Sequence, residues 1–81
     1  MKEVGEVFSY YSEIEVAAIK LNGKLKVGDK INIKGHTTDF EQDVNSMQIG
    51  HKKVDEAKKG DDVGIKVLDK VRKHDIVYKI S

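Results

Sequence analysis

"LKVGDKINIKG", residues Leu25 to Gly35, is the stretch whose reading decides the fold. An apolar pair, Leu25 and Val27, precedes Gly28-Asp29; Ile31 and Ile33 then alternate with Lys30, Asn32 and Lys34, and a glycine closes the run. Apolar residues at every second position mark a strand with one face buried and the other wet. Glycine before such a strand supplies a positive φ that a β-branched residue would resist, and the aspartate can accept backbone amides in the turn. The device recurs. "KKGDDVGIKV" (Lys58 to Val67) sets Gly60-Asp61 ahead of Val63, Ile65 and Val67. "RKHDIVYKI" (Arg72 to Ile80) sets His74-Asp75 ahead of Ile76, Tyr78 and Ile80. Histidine is among the few non-glycine residues enriched at positive φ, so His74 is expected to be left-handed. Three strand starts built alike predict an all-β domain and are not phosphate loops.

Eighty-one residues predict a single domain, 1–81, near the lower limit for a core without staples. Cysteine is absent, which excludes disulfides and thiolate metal sites. No apolar run approaches the roughly 18 residues of a membrane span, and "MKEVGEVF" lacks the apolar core of a signal peptide. A cytoplasmic protein with no membrane partner is expected. Fifteen basic residues nearly cancel fourteen acidic ones, so no global field favours a polyanion. Dense mixed charge, with lysine far outnumbering the single Arg72, is a composition common in proteins from hot environments.

Six strands are predicted, at 2–10, 13–21, 29–34, 38–50, 62–68 and 75–80, with a short helical turn over Val54 to Ala57. In the second strand Ile14, Val16 and Ala18 share one face while Ile19 and Leu21 share the other. In the fourth, Phe40 and Val44 oppose Met47 and Ile49. Each change of phase predicts a bulge or bend. Bent strands serving two halves of a sheet suit a small closed six-stranded β-barrel, mostly antiparallel.

Together, Val27-Gly28-Asp29, Ser46-Met47-Gln48, Glu56-Ala57 and Gly60-Asp61-Asp62-Val63-Gly64 resemble the second-domain β-barrel of translational GTPases, the family that includes elongation factors Tu and 1-alpha. The resemblance runs from about residue 4 to residue 80. It implies a translation-protein barrel without the motor: Gly23-Lys24 is followed by Leu25, and Ala18 stands where a phosphate loop needs its first glycine. In that family the barrel holds the aminoacylated end of transfer RNA. By the resemblance Gln48 would meet the terminal ribose, as an uncharged replacement for the family's glutamate, and Gly60 and Gly64 would let a ligand approach the backbone.

The function so implied is a non-catalytic module binding RNA, a transfer RNA end or ribosomal RNA, or a ribonucleoprotein or other translation-associated protein. Met47 and Ile49 would form an apolar platform beside Gln48. His51, Lys52, Lys53, Lys58 and Lys59 would meet phosphates. The plainer reading of those lysines is a solvated loop neutralised by Asp55, Glu56, Asp61 and Asp62. Of Tyr10 and Tyr11, one should point inward and one outward. His36, His51 and His74 lack the local spacing of a metal site, and no catalytic constellation or cofactor motif emerges. The alternative function is a protein-interaction adaptor, or an accessory barrel acting in trans with a larger enzyme or GTPase. A monomer or weak homodimer is expected in either case.

Overall fold

The structure, a computed structural model, describes residues 1–80. Ten strands account for its regular structure: β1 (Lys2–Tyr11), β2 (Val16–Leu21), β3 (Leu25–Lys26), β4 (Lys30–Lys34), β5 (Asp39–Asp43), β6 (Met47–Ile49), β7 (Lys52–Val54), β8 (Glu56–Ala57), β9 (Asp62–Lys66) and β10 (Ile76–Ile80). Eight form one antiparallel sheet in the order β5-β4-β10-β1-β2-β9-β6-β7, and β3 pairs with β8. The all-β, antiparallel expectation holds. The six-stranded closed barrel does not, because no ladder joins the terminal strands of the eight-stranded sheet.

The sheet nevertheless rolls around one core. Val44 follows β5 and exchanges backbone hydrogen bonds with the turn before β4, donating to Asp29 O at 2.8 Å and accepting from Gly28 N at 2.9 Å. Between β5 and the end of β9 a side chain substitutes for a ladder. Gln42 donates through Nε2 to Lys66 O at 2.9 Å and accepts from Leu68 N through Oε1 at 2.7 Å. Inside lie Ile19, Leu21, Leu25, Ile31, Ile33, Ile65 and Val77, all essentially inaccessible to solvent.

The three repeated turns share one geometry. Asp29, Asp61 and Asp75 each accept, through Oδ2, the amide three residues earlier, at 3.0, 2.9 and 2.8 Å. Each aspartate also returns its own amide to that residue's carbonyl. The corner residues Gly28, Gly60 and His74 have φ of 100°, 95° and 80°. His74 is left-handed, as its position in the repeat predicts.

Of the two irregularities expected from strand phase, the one in the second strand is absent and the one in the fourth takes the form of a break. The second strand contains no bulge. It starts at Val16, turns Ala17, Ile19 and Leu21 inward, and keeps Val16 and Ala18 outward, while Ile14 sits exposed in the preceding turn. The irregularities are in its neighbour β1, whose register shifts between Glu3 and Gly5 against β10 and between Val7 and Ser9 against β2. The first shift lets Val4 and Val7, of opposite parity, both face the core. The predicted 38–50 strand breaks into β5 and β6 across residues 44–46, so Val44 and Met47 both point inward. The expected helical turn is extended backbone instead, in β7 and β8, with Val54 packed against the core and Ala57 buried in it. Among the described residues no helix is long and apolar enough to cross a membrane.

Candidate functional site

Strand pairing places small residues side by side on the outer face of the sheet. Ser9 of β1 opposes Ala18 of β2, Ala18 opposes Gly64 of β9, and Gly64 opposes Gln48 of β6. A row with so little side chain at its centre leaves a trough. Phe8 stands at its β1 end, because the register shift leaves it without a partner on β2 and turns it outward. Tyr11 and Val16, paired in the next row, continue the wall, and Ile14 extends it from the turn. Gln48 and His51 border the opposite side. The result is an open groove of about 420 Å³.

Three exposed large apolar side chains meet at this groove, while Met1, Val27 and Leu68 are exposed elsewhere. Phe8, Tyr11 and Ile14 are 42%, 51% and 60% exposed. Ala18 is buried yet lies outside the core cluster, as expected for a floor residue shielded by the walls around it. A Cβ on Gly64 would sit 3.3 Å from Val16 Cγ1, so the absent side chain sets the depth of the floor. Of the two tyrosines, Tyr10 packs on the core and Tyr11 is exposed, the inward and outward pair expected.

The residues expected to bind RNA do not assemble. Met47 is 1% exposed and faces Ile65 across the ladder, so it is core and not a platform. Ile49 is half-buried against the same core. Lys52 and Lys53 lie on β7, paired only with β6. Lys58 and Lys59 belong to the turn before β9, whose geometry Asp61 and the positive φ of Gly60 set. Lys58 lies beside Glu56 and Asp61, whereas Lys59 reaches a second depression near Phe8 and Lys20. Only Gln48, His51 and Gly64 of the expected set share the groove. Sequence reasoning missed Phe8, Ile14, Val16 and Ala18. The signal for Val16 and Ala18 is the apolar character of both faces of β2, which imitates a bulge; Phe8, on β1, and Ile14, in the turn before β2, give none.

No protein-family model matches the chain. A Methanocaldococcus jannaschii protein described as an uncharacterized protease is 49% identical over 98% of this chain, which covers 20% of that protein. A Porphyromonas gingivalis collagenase is 36% identical over 96% of this chain, covering 22% of the collagenase. The chain thus spans about a fifth of the length of the curated relatives it matches. Among solved structures, the C-terminal domain of a Geobacillus thermoleovorans protein described as a U32 peptidase matches with a TM-score of 0.93 at 20% identity. That match takes in 98% of this chain and all of the other. A further structure of the same domain gives 0.93 at 19% identity, over 99% of this chain and 93% of the other.

These findings overturn the likeness to translational GTPases, and with it the elongation-factor and RNA-binding reading. The relatives named above are described as a protease and a collagenase, and the two solved structures as the C-terminal domain of a U32 peptidase. The misleading residues share a physical explanation. Gly28-Asp29 and Gly60-Asp61 build turns, while Met47, Ala57 and Val63 fill the core. They report how a small rolled sheet is made and carry no ligand chemistry of their own.

Proposed function

We propose that this chain is a non-catalytic accessory domain serving a peptidase of the U32 kind, within a longer polypeptide or in trans. The observation that carries the reading is the 49% identity, extending over nearly the whole chain, to one fifth of a protein described as a protease. Peptide hydrolysis needs an activated nucleophile or water, with a base within hydrogen-bond reach. Among the described residues no group of three or more His, Asp or Glu could hold a metal ion. Ser46 borders a depression near Gln42, whereas His51 borders the Ala18–Gly64 groove. The groove itself is mostly apolar, a surface suited to contact.

The test is enzymatic. The isolated chain, incubated with gelatin and casein, should release no peptides. The Porphyromonas gingivalis collagenase lacking its matched fifth should keep hydrolysis of short peptides and lose most of its action on gelatin. Release of peptides by the isolated chain would overturn the non-catalytic assignment. Unchanged gelatin hydrolysis by the shortened collagenase would overturn the accessory role.

A further inference from the structure

The apolar groove remains exposed although the core beneath it is complete. Ile19, Ile65 and Val63 are sealed inside, and the same fold is known from a solved chain that consists of this domain alone. Phe8, Tyr11 and Ile14 are therefore not core residues awaiting a missing strand. We infer that the Phe8–Ala18–Gly64 face is the docking surface for the folded body of a peptidase, a partner presenting its own apolar patch; this inference rests on the accessory reading above.

Two observations select that occupant. About four-fifths of the Methanocaldococcus jannaschii relative lies outside the part matched by this chain, so a domain of this type has a large folded neighbour to meet. The surface also has the anatomy of a protein–protein contact. In a chain with 36% charged residues, the groove's described lining holds one carboxylate, Asp62, and no lysine or arginine. The row on one side carries both signs in Glu6, Lys20 and Asp62, and Lys66 closes the Tyr11–Val16 row at its β9 end. An aromatic, charge-depleted centre within a polar rim is the usual pattern.

Area disfavours a second copy of the chain. At 42%, 51% and 60% exposure, Phe8, Tyr11 and Ile14 offer on the order of 300 Å² together. A stable dimer of free chains buries roughly 800 Å² per partner and would have to draw all of it from this one self-complementary patch, whereas a larger body can extend its contact over the polar rim. Backbone pairing disfavours an extended peptide. The floor strands β2 and β9 are each paired on both sides, so the groove offers no free ladder for strand addition.

The experiment is a titration of the ¹⁵N-labelled 81-residue chain, followed by amide chemical shifts. The probe is the Methanocaldococcus jannaschii relative with its matched fifth removed. The expected result is perturbation concentrated at Phe8, Tyr11, Ile14, Val16, Ala18 and Gly64. Ile14→Lys, a change in an exposed turn, should weaken the interaction at least tenfold while leaving the spectrum of the free chain folded; Tyr11→Lys serves as a second variant. Perturbation confined to another face, such as Lys52–Lys59, would overturn this surface and leave the accessory reading standing. No perturbation anywhere, with the probe shown to be folded, would overturn both. Concentration-dependent shifts of the same amides without probe would assign the face to a second copy. Shifts on adding a collagen-like peptide in place of the probe would assign it to substrate.

Discussion

His74 and Gly60 occupy equivalent corners of two turns, with φ of 80° and 95°, and each is followed by an aspartate that bonds the amide three residues back. The turn dictates the left-handed backbone, and histidine tolerates it at a cost. His74 Nδ1 also lies 2.9 Å from Glu6 Oε2, but both groups are largely exposed and such contacts contribute little. His74→Gly should raise stability by about 0.5–1 kcal/mol, whereas His74→Val should lower it by about 1–2 kcal/mol. Urea denaturation checks both, and a loss of stability in the glycine variant would count against the strain argument.

Asp75 should matter most among the three turn aspartates. It is 4% exposed, and a Cβ at Gly35 would collide with its carboxylate. Asp75→Ala should cost about 1–3 kcal/mol by leaving the Arg72 amide without its partner, and Asp61→Ala, in an exposed turn, less than half as much. Gly35→Ala should also destabilise. Combined with Asp75→Ala it should be less than additive, because both act on one contact. Thermal melts of the two single variants and the double variant measure this.

Gln42 stands in for a missing ladder between β5 and the end of β9. Gln42→Leu keeps the volume and removes both bonds, so stability should fall by about 1–3 kcal/mol. Hydrogen exchange should quicken at the Leu68 amide more than at amides in the β1–β2 ladder. Equal quickening everywhere would mean that Gln42 does not close this seam.

Gly64 keeps the groove open without serving the core. A valine there suits a strand, and its Cβ would meet only the end of the Val16 side chain at 3.3 Å. Gly64→Val should leave stability within about 1 kcal/mol of the parent and abolish docking in the titration described above. A folded Gly64→Val variant that docks like the parent would remove Gly64 from the contact.

The fold was legible in the sequence to the extent that local turn chemistry governs it. The Gly-Asp and His-Asp corners locate the starts of β4, β9 and β10, and the left-handed His74 follows from its place in the repeat. Two parts depended on long-range pairing: the change of phase marks an irregularity in the fourth strand without showing that it is a full break, and nothing local marks the bulges of β1. The break at 44–46 arises because Val44 bonds the distant turn at Gly28 and Asp29. The bulges belong to β1, where two partners with different registers compete for one strand. The site was hidden for a related reason. Apolar Val16 and Ala18 on the outer face imitate a change of phase, and only the pairing with Gly64 and Gln48 reveals a groove. The translation-factor likeness failed because its residues encode turns and core, which unrelated functions share.

A graft tests the accessory role most directly. The matched fifth of the Porphyromonas gingivalis collagenase would be deleted, then replaced by this 81-residue chain, and gelatin hydrolysis measured for the deletion and for the graft. The account predicts that the graft restores at least tenfold over the deletion, and that a graft carrying Ile14→Lys does not. Hydrolysis no greater in a folded graft than in the deletion would contradict it.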